Sequence, residues 1–247
     1  FIEIIHHPIS KDFKFELESA NSFLYKLSRY RWYSFLKMQK KVAKKINRII
    51  TPSKNSLRDI EVDFGSNKEN IKVINNGLDI DIFIPYREIK RTPFKLITTA
   101  SADVALKGLD YTLKSLFILS KEFSEISLLV IGKMKNDGHT SRLIDELSIQ
   151  DRVTFKTDLT KEEIAKEYAS SSIAIVSSLY EGFGYPVIEA MSCEIPLIAT
   201  NTASIPELVG EFASLVSPKS ENELSESIKN IFNNYQEYEK IAESGRQ

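Results

Sequence analysis

The chain has a single cysteine, Cys193, so no intrachain disulfide can form, and a buried thiol in a reducing compartment is the expectation. Three histidines and that one thiol offer no cluster with metal-ligand spacing. No apolar run approaches the roughly 18 residues that cross a bilayer. No charged stretch leads into a long apolar core, so nothing reads as a signal peptide. Internal repeats and low-complexity tracts are also missing. What is present is ordinary for soluble globular protein: 247 residues, 42% hydrophobic, net charge −1. That size fits one to two domains.

A local absence is more telling. Residues 19–58 contain no Asp or Glu but hold eleven Lys and Arg, from Lys26 to Arg58, so the rest of the chain carries −12. Phe23, Leu24, Leu27, Tyr30, Trp32, Tyr33, Phe35, Leu36 and Met38 are interleaved with these cations. Three readings stay open at this point. The apolar face packs on its own domain while the lysines are solvated; the segment lies on an anionic membrane surface; or it binds nucleic acid. No nucleic-acid recognition motif accompanies the charge, which disfavours the third.

From Lys95 onward, apolar strands alternate with helical patterns. Strands are predicted at 95–100, 127–132, 153–155, 173–176 and 196–199, and helices at 107–122, 139–149, 160–170, 185–193 and 221–234. Leu109, Leu113, Leu116 and Phe117 recur at helical spacing, which gives that helix a face to lay on a sheet. Such alternation predicts an α/β fold with a doubly wound parallel sheet, whose ligands bind at the carboxyl ends of the strands. Before Lys95, strands are predicted at 1–5, 48–52 and 71–74. One or two helices fill about 17–47, and Ser53 is a plausible N-cap for a helix through Val62. Residues 85–93 read as a linker.

The segment Glu181-Gly-Phe-Gly-Tyr-Pro-Val-Ile-Glu189 carries the clearest chemistry. It follows the β-branched run Ile173–Val176 and opens a helix. Gly182 and Gly184 permit close backbone approach, and Pro186 suits a first helical turn. The helix N-terminus beside Phe183 and Gly184 would attract an anionic phosphate. Glu181 and Glu189 cannot bind phosphate but are good acceptors for sugar hydroxyls. Read alone, a Gly-x-Gly is better explained by an ordinary strand–turn–helix joint with two solvated glutamates, and it is the flanking residues that change this. Lys107-Gly108, read alone, is a solvated lysine at a helix start. His6-His7, at a strand end, reads as structural. Asp79-Ile-Asp81 spells Asp-x-Asp, a known metal-binding motif, but sits in a turn-rich connection.

Taken in order, these pieces resemble a retaining family 4 glycosyltransferase of the GT-B architecture, two Rossmann-like domains. The stretches that carry the resemblance are Ile49–Ser53, Ile71–Asp79 with Phe83-Ile-Pro85, Leu106–Leu109, Glu181–Glu189 and Ile195–Gly210. The resemblance implies residues 1–85 as the later part of an acceptor domain, 86–230 as the nucleotide-sugar domain and 231–247 as a helix returning toward the acceptor domain. It also implies that the early part of the acceptor domain is missing, since the chain opens on Phe1 in a strand.

The resemblance implies transfer of a sugar from a nucleotide-diphosphate sugar to a hydroxyl of a glycan or lipid-linked acceptor. Lys107, Gly108 and Ser101 would line the diphosphate, with Lys107 as its cation. Glu181 and the Gly182–Phe183–Gly184 turn would meet the hexose, and Glu189 the ribose. His6, with His7 as second choice, would face the sugar, so His6, Lys107 and Glu181 are the catalytic candidates. Neither a metal nor another cofactor is expected, which sets Asp79 and Asp81 aside. Family members carry an Arg where this chain has Ser101, so one usual cation is absent. That departure motivates an alternative reading, a nucleotide-sugar-binding module without catalysis. A GT-B epimerase or phosphorylase fits less well, because of the Glu spacing and the lack of a pyridoxal-type lysine motif. Base recognition is expected near Phe155–Asp158. The implied location is cytoplasmic, with peripheral membrane contact if residues 19–58 meet lipid, and no nucleic-acid partner.

Overall fold

The computed structural model describes residues 1–18, 20 and 22–246. Ser19 and Asn21, at the start of the basic segment, and Gln247 therefore lie outside the described residues. The chain divides into two compact units. Residues 1–77 with Tyr180–Phe183 form one, and Leu78–Leu179 with Gly184–Gln247 form the other.

In the first unit β1 (Glu3–Ile4), β2 (Ile49–Thr51) and β3 (Ile71–Val73) form a parallel sheet in the order β1-β2-β3. The helices are α1 (Ser10–Glu18), α2 (Phe23–Trp32), α3 (Leu36–Ala43) and α4 (Lys54–Phe64). Ser53 caps α4 by accepting from the Ser56 amide. Ser56, Ile60 and Phe64, four apart, bury one stripe of α4. Ile60 and Phe64 join Ile5, Ala43, Ile49 and Ile71 in a small core, in which each Ile or Phe side chain contributes about 1.5–3 kcal/mol. Helix α1 starts earlier than the sequence pattern indicated, at Ser10.

Within the basic segment, α2 does not pack as the first of its three readings expected, whereas the residues that follow it do in part. Helix α2 buries none of its residues. Phe23 is 78% exposed, Leu24 74% and Trp32 67%. The contacts that hold this region are Tyr33, Leu36 and Ala43, which are buried, and the Phe13 ring against Tyr30 and Tyr33.

The second unit contains β4 (Lys95–Thr99), α5 (Leu109–Ser120), β5 (Ser127–Ile131), α6 (His139–Leu147), β6 (Val153–Lys156), α7 (Lys161–Ser170), β7 (Ile173–Val176), α8 (Tyr185–Ser192), β8 (Leu197–Thr200), α9 (Ile205–Val209), β9 (Ser214–Val216), α10 (Glu221–Asn233) and α11 (Tyr235–Gly245). All neighbouring strands are parallel, in the order β6-β5-β4-β7-β8-β9. That is the doubly wound α/β arrangement the strand–helix alternation predicts.

The period-2 side-chain alternation of a strand explains the two cores. Leu96, Leu128, Val130, Ile173, Ile175 and Ile198 face one side, where Leu113 and Leu116 of α5 and Ile228 of α10 cover them. Ile97, Leu129, Ile131, Ala174, Val176 and Leu197 face the other, under Tyr168 of α7 and Val187 of α8. Because both faces are covered, the central strands carry continuous apolar stretches, Leu128–Ile131 and Ile173–Val176, rather than a strict alternation.

Three features depart from the sequence reading. A 3₁₀ turn, Ala105–Lys107, precedes α5, which begins only after Gly108. Strand β9 and helix α9 had no sequence assignment. The division between units falls at Gly77–Leu78 rather than at residue 85. Phe83, 2% exposed, is the reason, since it sits in the second unit's core with Leu78 and Ile82 against it. The C-terminal helix α11 belongs to this unit too. Arg246 after it donates to the carbonyls of Phe83 (3.2 Å) and Ser192.

Candidate functional site

Strand order reverses between β4 and β7, since β4 is followed outward by β5 and β7 by β8. In an open α/β sheet the crevice at this switch point, beyond the carboxyl ends of the strands, is where ligands bind. Two loops leave those ends, residues 100–108 after β4 and 177–184 after β7, and they are tied together. The Leu179 amide donates to the Leu106 carbonyl at 2.7 Å. The Ser177 hydroxyl donates to the carbonyls of Lys107 (3.1 Å) and Gly108 (3.0 Å), and accepts from Thr112 at 2.9 Å. Gly108 has φ +61°, and a Cβ there would lie 2.0 Å from the Ser177 carbonyl oxygen. Only glycine allows both the left-handed backbone and this approach.

Asp103 fastens the same loop to α6. Its Oδ1 accepts from the Thr140 amide at 2.8 Å, and its own amide donates to Thr140 Oγ1 at 3.1 Å. The 100–108 loop, with Lys107 on it, is thus fixed by its backbone at both ends. Ser101 lies on this loop with its side chain exposed.

Helix α8 starts at the end of the second loop. Gly184 has φ +110°, and Pro186 occupies the first turn. One turn further, Glu189 is half-buried. Burial pushes its carboxyl up from 4.5 to about 7, against the lowering effects of a Tyr168 hydrogen bond and the charges of Lys161 and Lys107. Tyr168 donates to Glu189 Oε2 at 3.5 Å, and its hydroxyl lies 3.0 Å from Thr99 Oγ1 at the end of β4. Burial, with the Glu189 charge second, pushes the Cys193 thiol up to about 12. That buried thiol stays protonated and is a packing residue, not a nucleophile.

Tyr180–Phe183 pack with the first unit, so Glu181 and Glu189 belong to different units although eight residues apart. The Gly182 carbonyl accepts from the hydroxyls of Ser53 (2.7 Å) and Ser56 (2.9 Å). Tyr180 donates to Asp59 at 2.7 Å, and its phenol is raised by burial and by Asp59. Phe183 is buried and Glu181 half-buried. His7 is engaged with Asp12 at 2.8 Å and lies 5.6 Å from the Tyr180 ring, while the His6 side chain is exposed.

Of the residues singled out in the sequence, Ser101, Lys107, Gly108, Gly184 and Glu189 fall on the carboxyl edge of the second sheet. His6, Glu181, Gly182 and Phe183 fall in the first unit. Asp79 and Asp81 are exposed, and the Asp79 carbonyl accepts from the Ile82 and Phe83 amides in a turn. Among the described residues, no three of His, Cys, Asp and Glu are grouped to hold a metal ion. Among them, too, no helix is long and apolar enough to cross a membrane. Tyr168, Thr99, Ser177, Ser56 and Asp59 had no place in the sequence reading of the site. Only Ser53 gave a signal, as an N-cap.

A doubly wound unit with a lysine on one switch-point loop and a half-buried carboxylate on the helix that follows the other is a Rossmann-like α/β domain in architecture. The chain belongs to the family "Glycosyl transferases group 1", whose model matches residues 84–247. It is 37% identical over 99% of its length to the MMP alpha-(1->4)-mannosyltransferase of Mycolicibacterium hassiacum, covering 59% of that protein. It is 25% identical over 93% of its length to the O-antigen chain mannosyltransferase RfbU of Salmonella typhimurium, covering 67% of that protein. The chain thus spans about three fifths of the length of the first of these relatives. Among solved structures, sucrose-phosphate synthase from Thermosynechococcus elongatus aligns with TM-score 0.78 at 21% identity, covering 98% of this chain and 61% of that one. Anabaena HepE in complex with UDP and glucose aligns with TM-score 0.77 at 20% identity, covering 99% and 65%. These likenesses establish the fold, which is of the GT-B type.

Proposed function

We propose that the chain is the donor-binding part of a retaining, metal-independent glycosyltransferase that moves a hexose from a nucleotide-diphosphate sugar to a hydroxyl of a glycan or lipid-linked acceptor. The observation that carries this reading is the anchored Lys107 loop at the switch point, with Glu189 near enough for the lysine's charge to lower its pKa. Lys107 and the N-terminus of α8 would hold the diphosphate and offset the charge that develops on it as it leaves. Glu189 would accept from the ribose hydroxyls. In retention, the departing phosphate oxygen takes the acceptor's proton on the same face of the sugar, so no base has to activate a water. With a lysine and a helix dipole as the positive partners of the diphosphate, no metal ion is required for leaving-group stabilisation. Two of the relatives are named mannosyltransferases, so a nucleoside-diphosphate mannose is the first donor to try.

The test is release of nucleoside diphosphate from such donors by the purified chain, with EDTA present and a screen of hydroxyl acceptors. Acceptor-dependent release that is lost in Lys107→Ala supports transfer. Binding without release under every acceptor would favour the non-catalytic module instead.

The basic segment adds a location. On α2, Phe23, Leu27 and Tyr30 share one stripe at helical spacing and are all exposed. Lys26 and Arg31 flank that stripe on α2, and α3 adds Lys37, Lys40 and Lys41 to the same basic segment. An anionic bilayer surface complements both properties, at about 1 kcal/mol for each cation near it. Co-sedimentation with vesicles containing phosphatidylglycerol, but not with pure phosphatidylcholine, is expected, and loss of binding in a Phe23→Ser/Leu27→Ser variant. Equal recovery from both vesicle types removes this location.

A further inference from the structure

Tyr168 is 1% exposed and lies within the apolar core beneath α8, among Ile97, Leu129, Ala174 and Val187. Phenylalanine would fill the same space. The hydroxyl is the only polar atom the side chain brings into that core, and it has two partners: Thr99 Oγ1 at 3.0 Å and Glu189 Oε2 at 3.5 Å. A phenol has a single hydrogen. If Tyr168 gives it to the carboxylate, Thr99 must donate to the phenol oxygen. The three side chains then form a directed relay from the end of β4, through α7, to α8.

We propose that Tyr168 is a positioning residue for the nucleotide site: it takes a hydrogen bond from Thr99, donates to Oε2 of Glu189, and so leaves Oε1 of that carboxylate to accept from the ribose hydroxyls of a nucleoside diphosphate. This rests on the reading of Glu189 as the ribose acceptor. The relay does two things. It fixes one oxygen of a carboxylate that would otherwise turn freely about its last torsion, whose rotamers are broad. It also favours the ionised form, because the bond is made to the charged oxygen. The other charged or titratable groups facing Glu189 are Lys161 of α7, Lys107 of the β4 loop and Cys193 after α8. Both lysines favour the ionised form too, whereas the thiol stays protonated. Burial opposes all of them and dominates.

Ribose hydroxyls donate better to a carboxylate than to a carboxylic acid. Affinity for a nucleoside diphosphate is therefore expected to rise as pH climbs through about 7, the value burial gives Glu189. Tyr168→Phe removes a bond made to the ionised form, so the midpoint must move upward. A shift of about half a unit to one unit corresponds to about two- to fivefold weaker binding at pH 7 and about three- to tenfold at pH 5.5, with affinity at pH 9 close to that of the parent.

The experiment is calorimetric titration of the full chain with UDP, GDP and ADP between pH 5.5 and 9, for the parent, Tyr168→Phe, Thr99→Val and Glu189→Ala. The nucleotide's own phosphate titrates identically in every sample, so differences between proteins report on Glu189. An upward midpoint in Tyr168→Phe, and a smaller one in Thr99→Val, supports the relay. If Tyr168→Phe fails to fold, Thr99→Val carries the same test, since it keeps the β-branched shape and removes only the hydroxyl. A parental midpoint, or equal weakening at every pH, overturns the positioning role while the ribose clamp survives if Glu189→Ala loses binding. Parental affinity in Glu189→Ala overturns the clamp and the relay with it.

Discussion

Replacing Glu189 by Gln keeps the shape and the Oε1 acceptor but removes the charge. In the parent, burial raises the carboxyl from 4.5 to about 7. The folded state therefore keeps a proton that the unfolded chain releases over that window. Folding stability is expected to be unaffected by this group below about pH 4.5, to fall as pH rises to about 7, and to stay lower above it. The shift of about 2.5 units sets a ceiling of about 3 kcal/mol at 1.36 kcal/mol per unit, and the partial exposure of the side chain brings the expectation to about 1–2 kcal/mol. Glu189→Gln should recover that amount at pH 8 and nothing at pH 4. For a chain of this size the gain is about 2–8 °C in melting temperature. Differential scanning calorimetry of both proteins at several pH values between 4 and 8.5 measures it. A difference in melting temperature that does not vary with pH, or a parent that is the more stable at pH 8, would refute the reasoning. The same variant should bind nucleoside diphosphates about five- to tenfold more weakly at pH 8, since a bond to a charged acceptor is worth about 1–1.5 kcal/mol more than one to a neutral acceptor.

Gly108→Ala forces a Cβ against the Ser177 carbonyl in a left-handed backbone, so a loss of about 2–4 kcal/mol in urea unfolding is expected, together with weaker nucleotide binding as the Lys107 loop shifts. Ser53→Ala and Ser56→Ala each remove a hydroxyl from the Gly182 carbonyl, and the double variant should destabilise the first unit by about 1–3 kcal/mol, read as faster proteolysis near residue 182. Glu181→Ala is expected to lower the transfer rate while leaving affinity for the free nucleoside diphosphate within about threefold, because its proposed partner is the hexose and not the nucleotide.

The second unit was legible in the sequence because its strands are covered on both faces. Residues 128–131 and 173–176 read as unbroken apolar runs, with the shorter pair Leu96-Ile97 before them, separated by helices with one apolar stripe. Strand β9 and helix α9 span only three and five residues, too short for any period to register. The Lys107 and Glu189 positions were legible from spacing and from the order of motifs. Tyr168 was not, because in sequence it is one more large residue on the inward stripe of α7. Its partners Thr99 and Glu189 are 69 and 21 residues away. Ser53 announced itself as an N-cap, but its reach to Gly182, 129 residues on, depends on tertiary packing. The exposure of α2 was open for a related reason. Aromatic and basic residues at helical spacing define a face, while what covers that face is not a local property.

The most direct measurement is calorimetric titration of the chain with UDP, GDP and ADP at pH 8, beside Lys107→Ala and Glu189→Ala. Binding of at least one nucleoside diphosphate by the parent, weakened about tenfold or more in each variant, is the predicted result. Absence of binding to all three, or affinities unchanged by both substitutions, would contradict a nucleotide-sugar site at the carboxyl edge of the second sheet.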